Sequence, residues 1–218
     1  MIIAIDGPAG SGKSTLAKLI ANELKIEYLD TGAMYRMVTY YFLQNNINFE
    51  IGLSEQELEE CLKIKIKNNK FYLNKEDVSQ VIRQDAVAQQ VSKVATLKAV
   101  RNFLVAAQRK IGTNQDIIMD GRDIGTVVFP QADVKIYLIA SAQKRAKRRV
   151  KQNEELNIEA NYEEILANIK QRDLIDSTRE ESPLIKAVDA IELDTTNDKL
   201  EESFKKIIKI IKVRTNEI

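Results

Sequence analysis

The sequence predicts a doubly wound α/β fold. Two observations carry this. Short apolar runs alternate with longer segments of helical period, and a glycine-rich loop joins the first run to the first helical segment. The runs Ile2–Ile5, Ile26–Leu29, Ile117–Met119, Val134–Ile139 and Ala190–Leu193 have the largely apolar character of parallel strands covered on both faces.

The helical segments follow in order. Lys13–Leu24 sets Leu16, Leu19, Ile20 and Leu24 on one face. Ser54, with Glu57 three residues on, forms a capping box that starts another helix. Val94–Ile111 has continuous helical period and stops at Gly112, a helix-ending residue. Ser141 is suited to cap a helix running through Val150. Leu200, Phe204, Ile207, Ile208 and Ile211 form the apolar stripe of a last helix.

One segment breaks this rhythm. Lys63-Ile64-Lys65-Ile66-Lys67 alternates with period two, Asn68-Asn69-Lys70 has turn composition, and Phe71-Tyr72-Leu73 follows. The pattern predicts an exposed hairpin within a small insert between the second and third core strands. The stretch Gln152–Asn161 is polar and lacks Gly and Pro, so it reads either as a lid loop or as a helix end.

Composition narrows the function. Lys and Arg number 33 against 32 Asp and Glu, and the net charge of +1 gives no electrostatic reason to expect nucleic acid or an anionic membrane as partner. There is no histidine, which excludes His-based catalysis and His-ligated metals. The single cysteine, Cys61, cannot form an internal disulfide and suits a reducing compartment. No basic leader precedes Ile2–Ile5 and no apolar run approaches a membrane span, so a cytoplasmic globular protein is expected.

Gly7-Pro8-Ala9-Gly10-Ser11-Gly12-Lys13-Ser14 matches G-x-x-x-x-G-K-[ST] between a strand and a helix, the context this phosphate loop requires. Its glycines let backbone N–H groups curl around an anion, and the helix N-terminus adds positive potential. Lys13 is expected at the β- and γ-phosphates of a nucleoside triphosphate as a point charge. Ser14 supplies a hydroxyl for Mg2+, and Thr15 can add a contact. Asp120, after Ile117–Met119, is either a second acid acting indirectly on the metal or a turn residue. Asn74-Lys75-Glu76-Asp77 matches N-K-x-D, a guanine-reading pattern, but it precedes Asp120 and reads as a polar turn.

Three further strand ends or loops gather charge. Asp30-Thr31-Gly32-Ala33-Met34-Tyr35-Arg36 opens a helix beside the phosphate loop. Its Arg36 could grip a second phosphate, or its Asp or Thr could simply cap the helix. Asp120-Gly121-Arg122-Asp123-Ile124-Gly125-Thr126 packs two acids, an arginine and two glycines together, and Arg172, Asp173, Asp176 and Arg179 cluster later. Arginines at several strand ends suggest a phosphate clamp, because guanidinium binds phosphate in bidentate fashion. Lys144–Lys151 is basic. Arg145 and Arg149, four apart, would share a face, either solvated or carried by a lid.

The combination of Gly7–Thr15, Asp30–Arg36, the Asp120–Pro130 run, Arg172–Arg179 and Ser182-Pro183-Leu184 resembles the bacterial cytidylate kinases along nearly the whole chain. The resemblance implies transfer of the γ-phosphoryl group of ATP to CMP or dCMP, with magnesium. It implies one kinase domain over residues 1–218 with a three-layer P-loop parallel sheet. It adds a β-containing monophosphate-side lobe near residues 62–91 and a lid near 150–160. By the same resemblance Arg36, Arg122 and Arg179 belong to the acceptor phosphate, with Lys13, Arg122 and Arg179 as the catalytic cations. Arg172 and Asp176 belong to the sugar side, Thr31 to the acceptor site, and Ser92, Arg101 and Asp123 to the cytosine. A monomer acting on small molecules is expected. Two alternatives stay open on the residues alone: another small-metabolite kinase, such as a shikimate or gluconate kinase, and a regulatory nucleotide switch.

Overall fold

The computed structural model describes residues 1–67, 70–155 and 157–215. Two compact units divide the chain. The first comprises Met1–Leu29, Asn114–Thr178 and Ser182–Ile218, and the second Asp30–Thr113 and Arg179–Glu181.

The first unit is built on a five-stranded sheet of β1 (Ile2–Asp6), β2 (Glu27–Asp30), β6 (Ile117–Gly121), β7 (Val134–Ile139) and β8 (Ile191–Asp194), in the order β2-β6-β1-β7-β8. β1 pairs in parallel with β6 on one side and with β7 on the other, and β7 pairs in parallel with β8. The chain therefore winds outward from β1 in both directions. The loop that leaves the carboxyl end of β1 sits at the switch point where such sheets bind ligands. Helices α1 (Lys13–Leu24) and α8 (Leu200–Thr215) cover a common core: Ile3, Ile5, Leu16, Ile20, Val134, Ile136, Leu138, Ile207 and Ile211 are all nearly inaccessible to solvent. Helices α6 (Ala142–Glu155) and α7 (Tyr162–Thr178) pack on each other.

The second unit contains α2 (Thr31–Gln44), α3 (Glu55–Cys61), a small sheet of β3 (Ile64–Lys67), β4 (Lys70–Leu73) and β5 (Glu76–Asp77), then α4 (Asp85–Val94) and α5 (Lys98–Gly112). The capping box of Ser54 and Glu57 is present at the start of α3. Asn74 and Lys75 both have positive φ, 50° and 77°, and join β4 to β5 as a two-residue hairpin turn. The first half of the N-K-x-D stretch is thus a turn, as its context predicts, whereas Glu76 and Asp77 continue as the short strand β5. The expected turn at Asn68-Asn69 lies outside the described residues.

Four details depart from the sequence reading. The helix predicted over Val94–Ile111 is two helices, with α4 ending at Val94 and α5 starting at Lys98. Thr96 Oγ1 donates to the carbonyl of Lys93 at 2.7 Å, taking a backbone acceptor where the helix stops. The helix opened by Ser141 runs past Val150 to Glu155. Leu19 and Leu200, placed on buried stripes, are 39% and 49% exposed. In the hairpin, Phe71 and Leu73 of β4 are buried, so one face of the small sheet belongs to a core. Among the described residues no helix is long and apolar enough to cross a membrane.

Candidate active site

The phosphate loop is shaped by close backbone approach. A Cβ on Gly7, at φ 154°, would lie 2.1 Å from the carbonyl oxygen of Leu138 in β7, so only glycine permits the chain to leave β1 beside its neighbour. Gly12, at φ 96°, turns the loop into α1 and caps it without a side chain. The loop's carbonyls are held from outside. Arg145 Nη1 donates to Ala9 O at 3.0 Å, and Arg148 Nη1 and Thr195 Oγ1 donate to Ser11 O at 3.2 and 3.3 Å. Thr15 is exposed on α1, and Ser11 is buried.

Lys13 is 5% exposed and its Nζ donates to Pro8 O at 3.0 Å. Burial lowers its pKa to about 7, and the neighbouring Arg122 and Arg172 act in the same direction against Asp120 and Asp176. Ser14 Oγ donates to Asp120 Oδ2 at 2.6 Å, and Tyr28 donates to Oδ1 of the same carboxylate at 2.7 Å. A serine hydroxyl beside a carboxylate is an oxygen donor set of the kind magnesium prefers, with one or two protein oxygens and the rest left to phosphate and water.

At the end of β6, Arg122 donates through Nε to Asp176 Oδ2 of α7 at 2.8 Å. Asp123 is buried and heads a π-helical turn over Ile124–Val128. Arg172, Asp173 and Asp176 all lie on α7, and Asp173 forms a forked pair with Arg145. The first unit thus gathers Lys13, Ser14, Asp120, Arg122, Asp123, Arg172 and Asp176 around the ends of β1 and β6.

In the second unit, Asp30 caps α2 by accepting from the Ala33 N–H at 2.8 Å. The same carboxylate pairs with Arg36 at 2.9 Å and with Arg83 at 3.7 Å. Thr31 is buried at the start of α2, Ser92 is buried on α4, and Arg179 is also buried. Arg101 is buried on α5, where it donates to Ala95 O at 3.3 Å and lies over the Tyr35 ring with its guanidinium carbon 5.5 Å from the centroid.

Residues 3–213 match the family model for cytidylate kinase. The chain belongs to the cytidylate kinase family. The cytidylate kinase of Fusobacterium nucleatum subsp. nucleatum is 56% identical, with 93% of each chain covered. That of Thermosipho melanesiensis is 50% identical, with 96% of each covered. Among solved structures, a gluconokinase from Sinorhizobium meliloti 1021 is similar with a TM-score of 0.50 at 12% identity, covering 98% of this chain and 93% of its own. At that identity the likeness concerns the fold alone.

Within this cytidylate kinase family member, several residues with contacts at the loop or at the strand ends were not singled out by the sequence. Asp6, the last residue of β1, is 5% exposed and accepts backbone hydrogen bonds from Ile124 and Gly125. An acid closing an otherwise apolar strand directly before the phosphate loop was the available signal. Tyr28, Arg83 and Arg148 carried none, because their partners are far off in sequence. Arg145 and Arg149, expected on one charged face, part company: Arg145 is buried, whereas Arg149 is exposed and reaches Gln152. The pairing with Asp173 and the carbonyls of Ala9 and Ala140 draws Arg145 inward.

Proposed function

We infer that this chain is an ATP-dependent phosphotransferase that moves the γ-phosphoryl group of ATP to CMP or dCMP, giving ADP and CDP or dCDP. The observation that carries this reading is the set of charged side chains gathered at the buried Lys13: Ser14 Oγ donates to Asp120 at 2.6 Å, and Arg122, just past the end of β6, donates to Asp176 at 2.8 Å. Arg122 and Arg172 act against the Lys13 ammonium while Asp120 and Asp176 favour it, and phosphate oxygens at that point add to the favourable side. An acceptor that itself bears a phosphate gives arginines a reason to stand beside the donor's lysine.

In this reading Gly7–Thr15 hold the triphosphate and Lys13 reaches its β- and γ-oxygens. Magnesium belongs at Ser14, with Asp120 acting through the hydroxyl or a water, and when bound it neutralises phosphate charge. Within the first unit, Arg122 grips the acceptor phosphate, Arg172 and Asp176 serve the sugar, and Asp123 reads the base. Within the second, Arg36, Arg179 and Thr31 are assigned to the acceptor, and Ser92 and Arg101 to the cytosine. Residues 62–91 act as the monophosphate-side lobe and 150–160 as the lid, in a single kinase domain. The reading includes a monomer in the cytoplasm with no nucleic-acid partner, supported by near-neutral net charge and an unpaired Cys61. No general base is required, because the attacking oxygen already belongs to a phosphate anion.

A coupled assay of ADP release with CMP, dCMP, UMP, AMP, GMP, shikimate and gluconate tests the assignment. CMP and dCMP should give the highest kcat/KM. Faster turnover of shikimate or gluconate, or no turnover with CMP, would overturn it.

A further inference from the structure

The residues after Asp123 form a π-helical turn, in which Val127 and Val128 donate to Asp123 O and Phe129 donates to Ile124 O. Like any helical turn, it leaves its first N–H groups without an acceptor in the same turn. A single wide turn of this kind is rare and is held only where its surroundings over-determine it. The acceptors come from a different element. Asp6 Oδ1 accepts from Ile124 N–H at 2.8 Å, and Asp6 Oδ2 accepts from Gly125 N–H at 2.7 Å.

Three facts make this more than a chance contact. First, the two N–H groups are consecutive, and a carboxylate is the side chain that offers two equivalent acceptors to such a pair. Second, the neighbouring space is full. A Cβ on Gly125 would lie 3.4 Å from Asp6 Oδ2, and 3.1 Å from Cδ of Lys135, whose Nζ is tied to Pro130 O and to Asp189. Third, Asp6 is followed directly by Gly7, so one residue connects the start of the phosphate loop to the peptide units after Arg122 and Asp123.

We propose that Asp6 is a positioning residue of the phosphoryl transfer: it caps the Ile124–Val128 turn from the neighbouring strand and so fixes Arg122 and Asp123 relative to the phosphate loop. The proposal rests on the assignment of Arg122 and Asp123 to the nucleoside monophosphate. The carboxylate touches no substrate. It sets where the backbone of the acceptor-side segment stands, and Arg122 inherits that position through two residues of chain. The pairing of Arg122 with Asp176 then fixes the far end of the same side chain.

The test is a mutant cycle of Asp6→Asn and Arg122→Ala, read as kcat/KM for CMP, KM for ATP and melting temperature. Asn keeps one acceptor and turns an NH2 group toward the second N–H. Folded Asp6→Asn should lose at least about tenfold in kcat/KM for CMP while KM for ATP stays within about threefold. In the Arg122→Ala background the same change should cost clearly less, because one of the two groups it positions is gone. Equal losses in both backgrounds, or a rise in KM for ATP by the same factor as the fall in kcat/KM for CMP, would overturn the proposal. Arg122→Ala alone tests the assignment of Arg122: full CMP activity there removes that assignment, whatever Asp6→Asn does. If Asp6→Asn does not fold, Asp6→Glu keeps the charge but moves the carboxylate by one methylene from the Ile124 and Gly125 N–H groups, and should give the same pattern. Unchanged CMP kinetics in folded Asp6→Glu would overturn the proposal as well.

Discussion

Ser14 Oγ lies 2.6 Å from Asp120 Oδ2, and the bond joins the first residues of α1 to the end of β6 across 106 positions of sequence. Tyr28 satisfies the other carboxylate oxygen at 2.7 Å, so the acid is oriented rather than free to rotate. An oriented acid behind a hydroxyl proposed to bind magnesium would tune the metal even without being a ligand itself. Asp120→Ala should therefore raise the magnesium concentration needed for half-maximal activity about 10–100-fold, with ATP held constant. A magnesium titration identical to that of the unaltered enzyme would show that Asp120 serves only to tie Ser14 and Tyr28 to β6.

Lys13 has an equally direct test. Its ammonium is expected at the β- and γ-phosphates, where charge grows during transfer. Lys13→Met should lower kcat by about 10² or more. The effect on stability runs the other way. The folded pKa is lowered to about 7 from 10.5, with burial the first cause. The folded state thus binds fewer protons than the unfolded chain between those values, and this lysine's contribution to stability is lost as pH falls from 10.5 toward 7. At pH 7, Lys13→Met should melt at or above the temperature of the parent while being nearly inactive. A folded variant with parental turnover would remove Lys13 from the mechanism.

The strands and the phosphate loop were legible because their signals are local. Each apolar run is continuous in sequence, and Gly7 to Ser14 is one unbroken motif. The same holds for the Ser54–Glu57 capping box. What escaped the sequence depends on partners brought together by folding. Asp6 meets Ile124 and Gly125 more than a hundred residues away, and Arg145 meets Asp173 from a different helix. Neither partner can be named before the sheet order is known. The interruption at Thr96 was hidden because periodicity continues through it, while the side chain competes locally for the Lys93 carbonyl. Leu19 and Leu200 fit an apolar stripe by period, yet the covering elements do not reach them.

Asp6 makes a prediction about pH that is independent of activity. Its pKa is raised from 3.8 to about 7, chiefly by burial, with Asp123 adding to the rise and the two backbone bonds and Lys13 opposing it; Tyr137 also feels its charge. Between pH 3.8 and 7 the folded state then holds a proton that the unfolded chain has released, at the cost of one of the two backbone acceptors, which the carboxylate form offers in full. The stability contribution of this group is full below 3.8 and is lost as pH rises through 7. Asp6→Asn cannot titrate. Its stability relative to the parent should rise by on the order of 2–4 kcal/mol between pH 4.5 and 7.5, whatever constant offset the lost bond introduces. Urea unfolding of both proteins across that range measures the difference. A flat difference means that the carboxyl does not change charge there.

Asp123 offers the sharpest prediction, because it concerns the choice of base. Cytosine presents an N4 amino donor where uracil presents an O4 acceptor. A carboxylate only accepts, so it pairs with cytosine and leaves two facing acceptors with uracil. Asp123 is buried at the end of β6, one residue from Arg122, and its backbone rather than its side chain starts the turn that follows: its carbonyl accepts from Val127 and Val128, and no side-chain cap is made. A buried acceptor facing another acceptor costs about 1–3 kcal/mol, which is roughly a 5- to 150-fold preference between the bases. Asp123→Ala should lower kcat/KM for CMP more than for UMP and narrow their ratio by a factor in that range. Asp123→Asn, which can present either an acceptor or a donor, should narrow the ratio while retaining more UMP activity than the alanine variant. If both substrates lose activity by the same factor in Asp123→Ala, the carboxylate supports the loop and another group reads the base.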